Sequence, residues 1–145
     1  MRPLLLSIAI LVVAAPLAEA ARFTGRTAQD HKAVVRTDDD NVPIQFAMRW
    51  RAECEDRSNI VHATTFLQPF RESSQTRVRD GGPYRTHVRD ERGRRYELRV
   101  RTRMRAHRVS DRRWRGRFRM TMKVYRNDRL VTECGTGRVR WSARR

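Results

Sequence analysis

Lysine is almost missing from a chain crowded with positive charge. Of its 33 basic residues only Lys32 and Lys123 are not arginine, and against 16 acidic residues the net charge is +17. A coding sequence rich in G and C replaces lysine codons with arginine codons, so the sign and placement of these charges say more than their identity. Glycine and proline are sparse, at 7 and 5 in 145 residues, which excludes a collagen-like repeat. There is one long apolar run, at the start, which excludes a multispanning membrane protein. Heptads are absent, and the length excludes a large multidomain enzyme. Past Ala20 about a third of the residues are apolar, below the roughly 45–50% of an ordinary domain, so the expected core is thin.

The apolar run carries its own meaning. Met1 and Arg2 supply positive charge, Leu4 to Leu17 are interrupted only by Ser7 and Pro16, and Ala18-Glu19-Ala20 has small-x-small spacing. This is the pattern of a secretory signal peptide over residues 1–20, cut after Ala20, with 21–145 as a single β domain. About 14 apolar residues fall short of the roughly 20 that a helix needs to cross a bilayer, and after cleavage no transmembrane segment is expected. The chain is therefore expected to be secreted or extracytoplasmic. In such a compartment two cysteines read as a disulfide, Cys54–Cys134, since neither sits in a CxxC pair or beside histidine. A loop of about 80 residues closed this way contributes on the order of 4.5 kcal/mol in the chain-entropy account. Two free buried thiols are the alternative.

Three stretches separate apolar from polar with period two. Val42 to Cys54 sets Ile44, Phe46, Met48, Trp50, Ala52 and Cys54 against Gln45, Arg49, Arg51 and Glu53. Tyr96 to His107 sets Leu98, Val100, Thr102, Met104 and Ala106 against Glu97, Arg99, Arg101, Arg103 and Arg105. Trp114 to Tyr125 sets Gly116, Phe118, Met120, Met122 and Val124 against Arg115, Arg117, Arg119 and Lys123. Period two is the signature of strands, and none of these stretches has helical spacing. Weaker strands are expected at Lys32 to Thr37, Ile60 to Gln68, Leu130 to Cys134 and Val139 to Ala143. Gln75 to Arg79 and Tyr84 to Arg89 flank Asp80-Gly81-Gly82-Pro83, which reads as a hairpin turn. Cys134 and Val139 have opposite inward parities, so the glycines between them should absorb a one-residue shift as a bulge. The fold class expected is all-β, an antiparallel β-sandwich or small barrel of about seven or eight strands with one disulfide.

Four elements together carry a resemblance: Phe23-x-Gly25-x-Thr27, Cys54 ending a strand, Trp114-x-Gly116-x-Phe118, and Cys134-Gly135-x-Gly137-x-Val139-x-Trp141-x-Ala143. They resemble a group of small secreted two-cysteine β-rich proteins from high-GC bacteria. That group has no assigned activity, so the resemblance implies the fold and the compartment and no functional residue.

Catalytic chemistry finds little footing. His31, His62, His87 and His107 are 20 residues or more apart, and no GxSxG, HxxxH, phosphate-binding loop or dinucleotide fingerprint occurs. Asp38 to Asn41 lacks the glycine and distal glutamate of a calcium loop and reads as an acidic turn. Trp50, Trp114 and Trp141 lie on apolar parities and read as core. No catalytic residue, metal ligand or cofactor is expected. What remains is the arginine face. If the strands around Tyr96–His107 and Trp114–Val124 form a hairpin through Arg108 to Arg113 with position numbers summing to about 220, Arg105 faces Arg115, Arg103 faces Arg117 and Arg101 faces Arg119. Opposed like charges destabilise a sheet, so something must offset them. An array of Arg99, Arg101, Arg103, Arg105, Arg115, Arg117 and Arg119 would suit phosphate or sulfate groups. The outward positions hold almost no aromatic side chain, which argues against specific nucleic-acid binding. The expectation is a non-enzymatic protein that binds anionic envelope or extracellular polymers. The alternatives are a protein-binding or inhibitory module acting on a secreted partner, a solvated arginine-biased face, and, more remotely, a small hydrolase.

Overall fold

The computed structural model describes residues 20–145, so the expected signal segment lies almost wholly outside the described residues. All regular structure there is β. In chain order the strands are β1 (Arg22–Thr27), β2 (Lys32–Thr37), β3 (Pro43–Cys54), β4 (Asn59–Leu67), β5 (Glu72–Ser73), β6 (Arg77–Arg89), β7 (Arg95–Ser110), β8 (Arg113–Arg126), β9 (Arg129–Gly135) and β10 (Val139–Arg144). Ten strands appear where seven or eight were expected, because β1 has its own pairing partners and β5 is a two-residue strand with no periodicity to read.

Every pairing is antiparallel. The order β10-β1-β2-β3-β9-β8 closes on itself because β10 also pairs β8, which makes a six-stranded hydrogen-bonded circuit. One edge of the long strand β8 carries β10 along its first half and β9 along its second, while its other edge carries β7. From β7 the sheet continues to β6 and β5, and β4 attaches outside the circuit to β3. Even-numbered side chains of β3, β7 and β8 face inward, where Phe23, Phe46, Trp114, Phe118, Met104 and Met120 are the largest fully buried ones. Phe46 packs edge-on to both Trp114 and Phe70, with ring centroids 5.5 Å apart in each case. Trp50 and Trp141 are also buried, so all three tryptophans are core, as their parity implied. Leu98, expected to be buried, is only half covered because it lies near the β6–β7 end of the sheet. Leu130 is exposed, for a reason given by the turn before it.

Cys54 and Cys134 are bonded, and they are register partners, with Cα atoms 4.0 Å apart. The neighbouring hydrogen bond from the Glu55 amide to the Glu133 carbonyl makes theirs a non-hydrogen-bonded pair, the kind in which facing residues come closest. β3 and β9 share only one other register pair, Glu53 with Gly135, so the bond fastens the shortest seam of the circuit.

Two-residue turns explain most of the register. In an antiparallel pair the position numbers of partners sum to a constant, and an even sum sets even residues opposite even residues. The turns at Asp111-Arg112 and Asn127-Asp128 begin with odd sums, Ser110 opposite Arg113 and Arg126 opposite Arg129. An odd sum would match inward side chains with outward ones, so each hairpin inserts a bulge within a few residues, near Val109 and near Val131. The second bulge is what turns Leu130 away from the core, and it stands 48% exposed. The β6–β7 turn, Asp90 to Arg94, has five residues and an even sum from the start, and needs no bulge.

These turns correct two expectations. The β7–β8 loop is much tighter than Arg108 to Arg113, and the register sums to 222: Arg103 faces Arg119, Arg105 faces Arg117, Arg101 faces Thr121 and Arg115 faces His107. The facing parity is as expected and the partners are shifted by two. Asp80-Gly81-Gly82-Pro83 is not a turn at all but the middle of β6, opposite Met104 to Arg101 of β7. Gly81 has φ of +123°, and a Cβ there would run into the Thr102 carbonyl, so the glycine serves a close approach between strands. The parity change between Cys134 and Val139 occurs as expected: the sum against β8 passes from 256 at Cys134–Met122 to 257 at Val139–Phe118, across Thr136 to Arg138. There the Thr136 amide donates to the Met120 carbonyl, and the Met120 amide donates to Thr136 Oγ1 at 3.0 Å.

Candidate anion-binding face

The outward positions of β7 and β8 are odd-numbered, and the strands on either side extend them into rows across the sheet. One row runs Glu72, Arg79, Arg105, Arg117, Arg140 over β5, β6, β7, β8 and β10. The next runs Arg77, His107, Arg115, Ser142, Arg26 over β6, β7, β8, β10 and β1. Arg79 meets Glu72 at 3.4 Å and Arg26 meets Asp30 at 2.7 Å, so both rows have an acid at an outer end. Between those ends stand Arg105, Arg117 and Arg140 in the first row and Arg115 in the second, none of them in an ion pair among the described residues.

The two largest open depressions on this face differ in charge. The first, about 820 Å³, crosses β1, β10, β8 and β7 and is lined by Arg26, Arg105, Arg113, Arg115, Arg117, Arg140 and His107 with no acidic residue. The second, about 1140 Å³, reaches from β3 to β6 and sets Glu53, Glu55 and Glu133 among Arg85, Arg99, Arg101 and Lys123. In the second, Arg99 Nε donates to Glu97 Oε1 at 2.6 Å and its guanidinium lies 4.2 Å above the Tyr125 ring. The Arg99 hydrogen bond holds the Glu97 carboxyl below its ordinary value, with the Arg99 and Arg85 charges acting in the same direction. Likewise Lys123 pairs with Glu133 at 2.9 Å, and that bond raises the ammonium above its ordinary value. This half of the face neutralises itself. In the first depression the opposite holds: burial, then the charges of Arg115 and Arg144, pull the Arg113 guanidinium below its ordinary value, and its Nε is buried without a hydrogen-bond partner.

The seven arginines expected to form one array are therefore divided. Arg105, Arg115 and Arg117 line the basic depression, Arg99 and Arg101 line the neutralised one, and Arg103 and Arg119 line neither and face each other between them. Arg26, Arg113, Arg140 and His107 belong to the basic depression and were not singled out in the sequence. The alternation of Arg138 and Arg140 with Val139 and Trp141 did mark Arg140 as outward, but nothing local says that β10 lies beside β8.

Among the described residues no group of three or more His, Cys, Asp or Glu comes together in a way that could hold a metal ion. His107 and His87 are exposed, and His62 is exposed with its ring 5.9 Å from Trp50. The Asp38 to Asn41 segment is a turn in which Asp38 Oδ1 accepts from the Asp40 and Val42 amides. Fold and face together define a disulfide-linked antiparallel β protein whose outer face carries a large basic depression with no acidic residue in its lining. No protein-family model, curated protein or solved structure matches the chain.

Proposed function

We propose that this is a secreted, non-enzymatic β protein that holds anionic polymers of the cell envelope or extracellular space against its outer arginine face. The observation that carries the reading is the run Arg105–Arg117–Arg140, three directly adjacent strands contributing like charges with no acid between them. Each facing like-charge pair costs a sheet some tenths of a kcal/mol up to about 1. An external oxyanion would turn that cost into binding, since guanidinium matches phosphate and sulfate in bidentate geometry. The disulfide is compatible with an extracytoplasmic location. Ala21, the first residue after the expected cut, is buried, and its carbonyl accepts from the Thr37 amide, so a chain cut there would be packed from its first residue.

The test is affinity for heparin across a salt series. Binding should fall steeply with salt, because each neutralised charge on the polymer releases condensed counterions. Replacing Arg105, Arg115, Arg117 and Arg140 together with Gln should flatten the dependence, whereas replacing Arg22, Arg36, Arg126 and Arg129 should change it far less. Equal losses in the two quadruple variants would reduce the attraction to bulk charge and end the reading.

A second reading has an observation of its own. β4 is the one strand of the ten with no Lys, Arg, Asp or Glu; one of its edges pairs β3, and among the described residues no other strand pairs the second. Val61 and Leu67 on it are exposed. Such an edge can accept an extended segment of another protein by strand addition. Under this reading a proline at Ala63 would abolish partner capture, and the arginine substitutions would leave it intact.

A further inference from the structure

We infer that the anionic chain lies across the strands, along the Arg105–Arg117–Arg140 row, and not lengthwise along β7 and β8. This rests on the polyanion-binding reading above and adds to it a direction, a footprint and a ligand class. Lengthwise, a polymer following β7 from Arg105 toward Arg99 would leave the basic depression, pass the Arg103–Arg119 pair, and enter the one where Glu53, Glu55 and Glu133 stand among the cations and Glu97 holds Arg99. Its far half would gain nothing from charge. Across the strands the basic depression takes its lining from β7, β8, β10 and β1 with no carboxylate in it, and the first acid met is Asp30, paired with Arg26 at its β1 end.

The spacing of the row defines the ligand. Strands stand about 4.8 Å apart, so the two steps from Arg105 on β7 through Arg117 on β8 to Arg140 on β10 span roughly 10 Å, with one outward arginine per strand. A flexible single chain bearing one oxyanion every 5 to 7 Å can place an anion against each guanidinium in turn, a spacing estimated from the strand separation and the reach of arginine. Arg113, flanking the row, has a buried Nε with no acceptor within the protein, a donor position that an anion seated in the depression would approach. Trp141 is the one phenylalanine, tyrosine or tryptophan in the lining of the depression, and it is buried, at 4% exposure. Nucleobases would find no phenylalanine, tyrosine or tryptophan platform to stack on. The class is thus a linear chain of sulfate or phosphate esters on a non-aromatic backbone.

Two charge-matched triple variants test the direction. One removes the row, with Arg105, Arg117 and Arg140 changed to Gln, and the other removes the lengthwise continuation, with Arg101, Arg103 and Arg119 changed to Gln. The probes are a heparin octasaccharide for sulfate and linear poly(glycerol phosphate) for phosphate, each titrated from 50 to 300 mM salt, with oligo-dT as the aromatic comparison. These six arginines are exposed, so both variants should fold, and the row variant should unfold at the same or higher denaturant because it relieves facing like charges. The row variant should lose at least about tenfold in affinity for the favoured probe, with the slope of log K against log salt shallower by about 2, three contacts at roughly 0.7 each. The lengthwise variant should lose less than threefold. Whichever of sulfate and phosphate binds more tightly identifies the ester. Equal losses in the two variants, or a larger loss in the lengthwise one, would overturn the cross-strand placement while leaving polyanion binding in force. Failure of the unaltered protein to bind either probe would overturn both, and tighter binding of oligo-dT than of the ester chains would overturn the ligand class.

Discussion

Replacing Cys54 and Cys134 together by Ala tests how the circuit is held shut. The bond spans 80 residues, and confining a loop of that length in the unfolded chain corresponds to about 4.5 kcal/mol by loop-closure entropy. The structure adds a reason to expect most of it to be realised. β9 is held to β8 along most of its length but to β3 by only two register pairs, one of which is the cysteine pair itself. Few backbone interactions along that seam can compensate for its loss. Both cysteines are buried, so the alanines also leave small voids. The expected loss is 2 to 5 kcal/mol, the usual range for small secreted domains. At about 3 to 5 °C per kcal/mol, between the values for smaller and larger domains, the melting temperature should fall by roughly 6 to 25 °C. Urea denaturation gives the free energy directly, and hydrogen exchange gives its location. The Glu55 amide, bonded to the Glu133 carbonyl across the seam, should lose protection before the amides of the β7–β8 ladder. A change of less than about 1 kcal/mol, with Glu55 still protected, would show that strand pairing alone closes the circuit.

Further outcomes follow from particular contacts. Gly116→Ala would drive a Cβ into the Arg105 carbonyl and into Cε2 and Cζ2 of the buried Trp141 ring, and should cost about 1 to 3 kcal/mol by overpacking, read by urea denaturation; full stability would mean that β10 can shift along β8. Thr64→Val removes the acceptor 2.9 Å from Trp50 Nε1 and leaves a buried donor unpaired, for an expected loss of about 1 to 3 kcal/mol that should be absent in a Trp50→Phe background. Glu97, held below its ordinary value first by the Arg99 hydrogen bond, contributes stability that is present above the unfolded glutamate pKa and lost as pH falls through the lower folded one. Glu97→Gln should therefore flatten the acid limb of the stability profile below about pH 4.3 and change little at pH 7 in the slope with pH; an unchanged acid limb would show that the Arg99 contact does not persist in solution.

Period-two alternation is written into single strands, so the sequence alone determined that Val42 to Cys54, Tyr96 to His107 and Trp114 to Tyr125 are strands and which face each side chain takes. The same parity put Cys54, Cys134 and the three tryptophans inside. Alternation is a local property of extended peptide geometry, with one side chain up and the next down, and needs no partner to be legible. Register is different, because it depends on how many residues a turn takes and where a bulge restores parity. The expected register missed by two for that reason, and Asp80 to Pro83 looked like a turn although its glycines serve contact with β7. Least legible was the composition of the basic depression. Arg105, Arg117 and Arg140 are distant in sequence, and they share a row only because β10 folds back onto the free half of one edge of β8. That pairing is a long-range event decided by closure of the circuit. Of the seven arginines that the alternation marked as one face, it left three in the basic depression, brought two among carboxylates from other strands, and set the last two against each other in between.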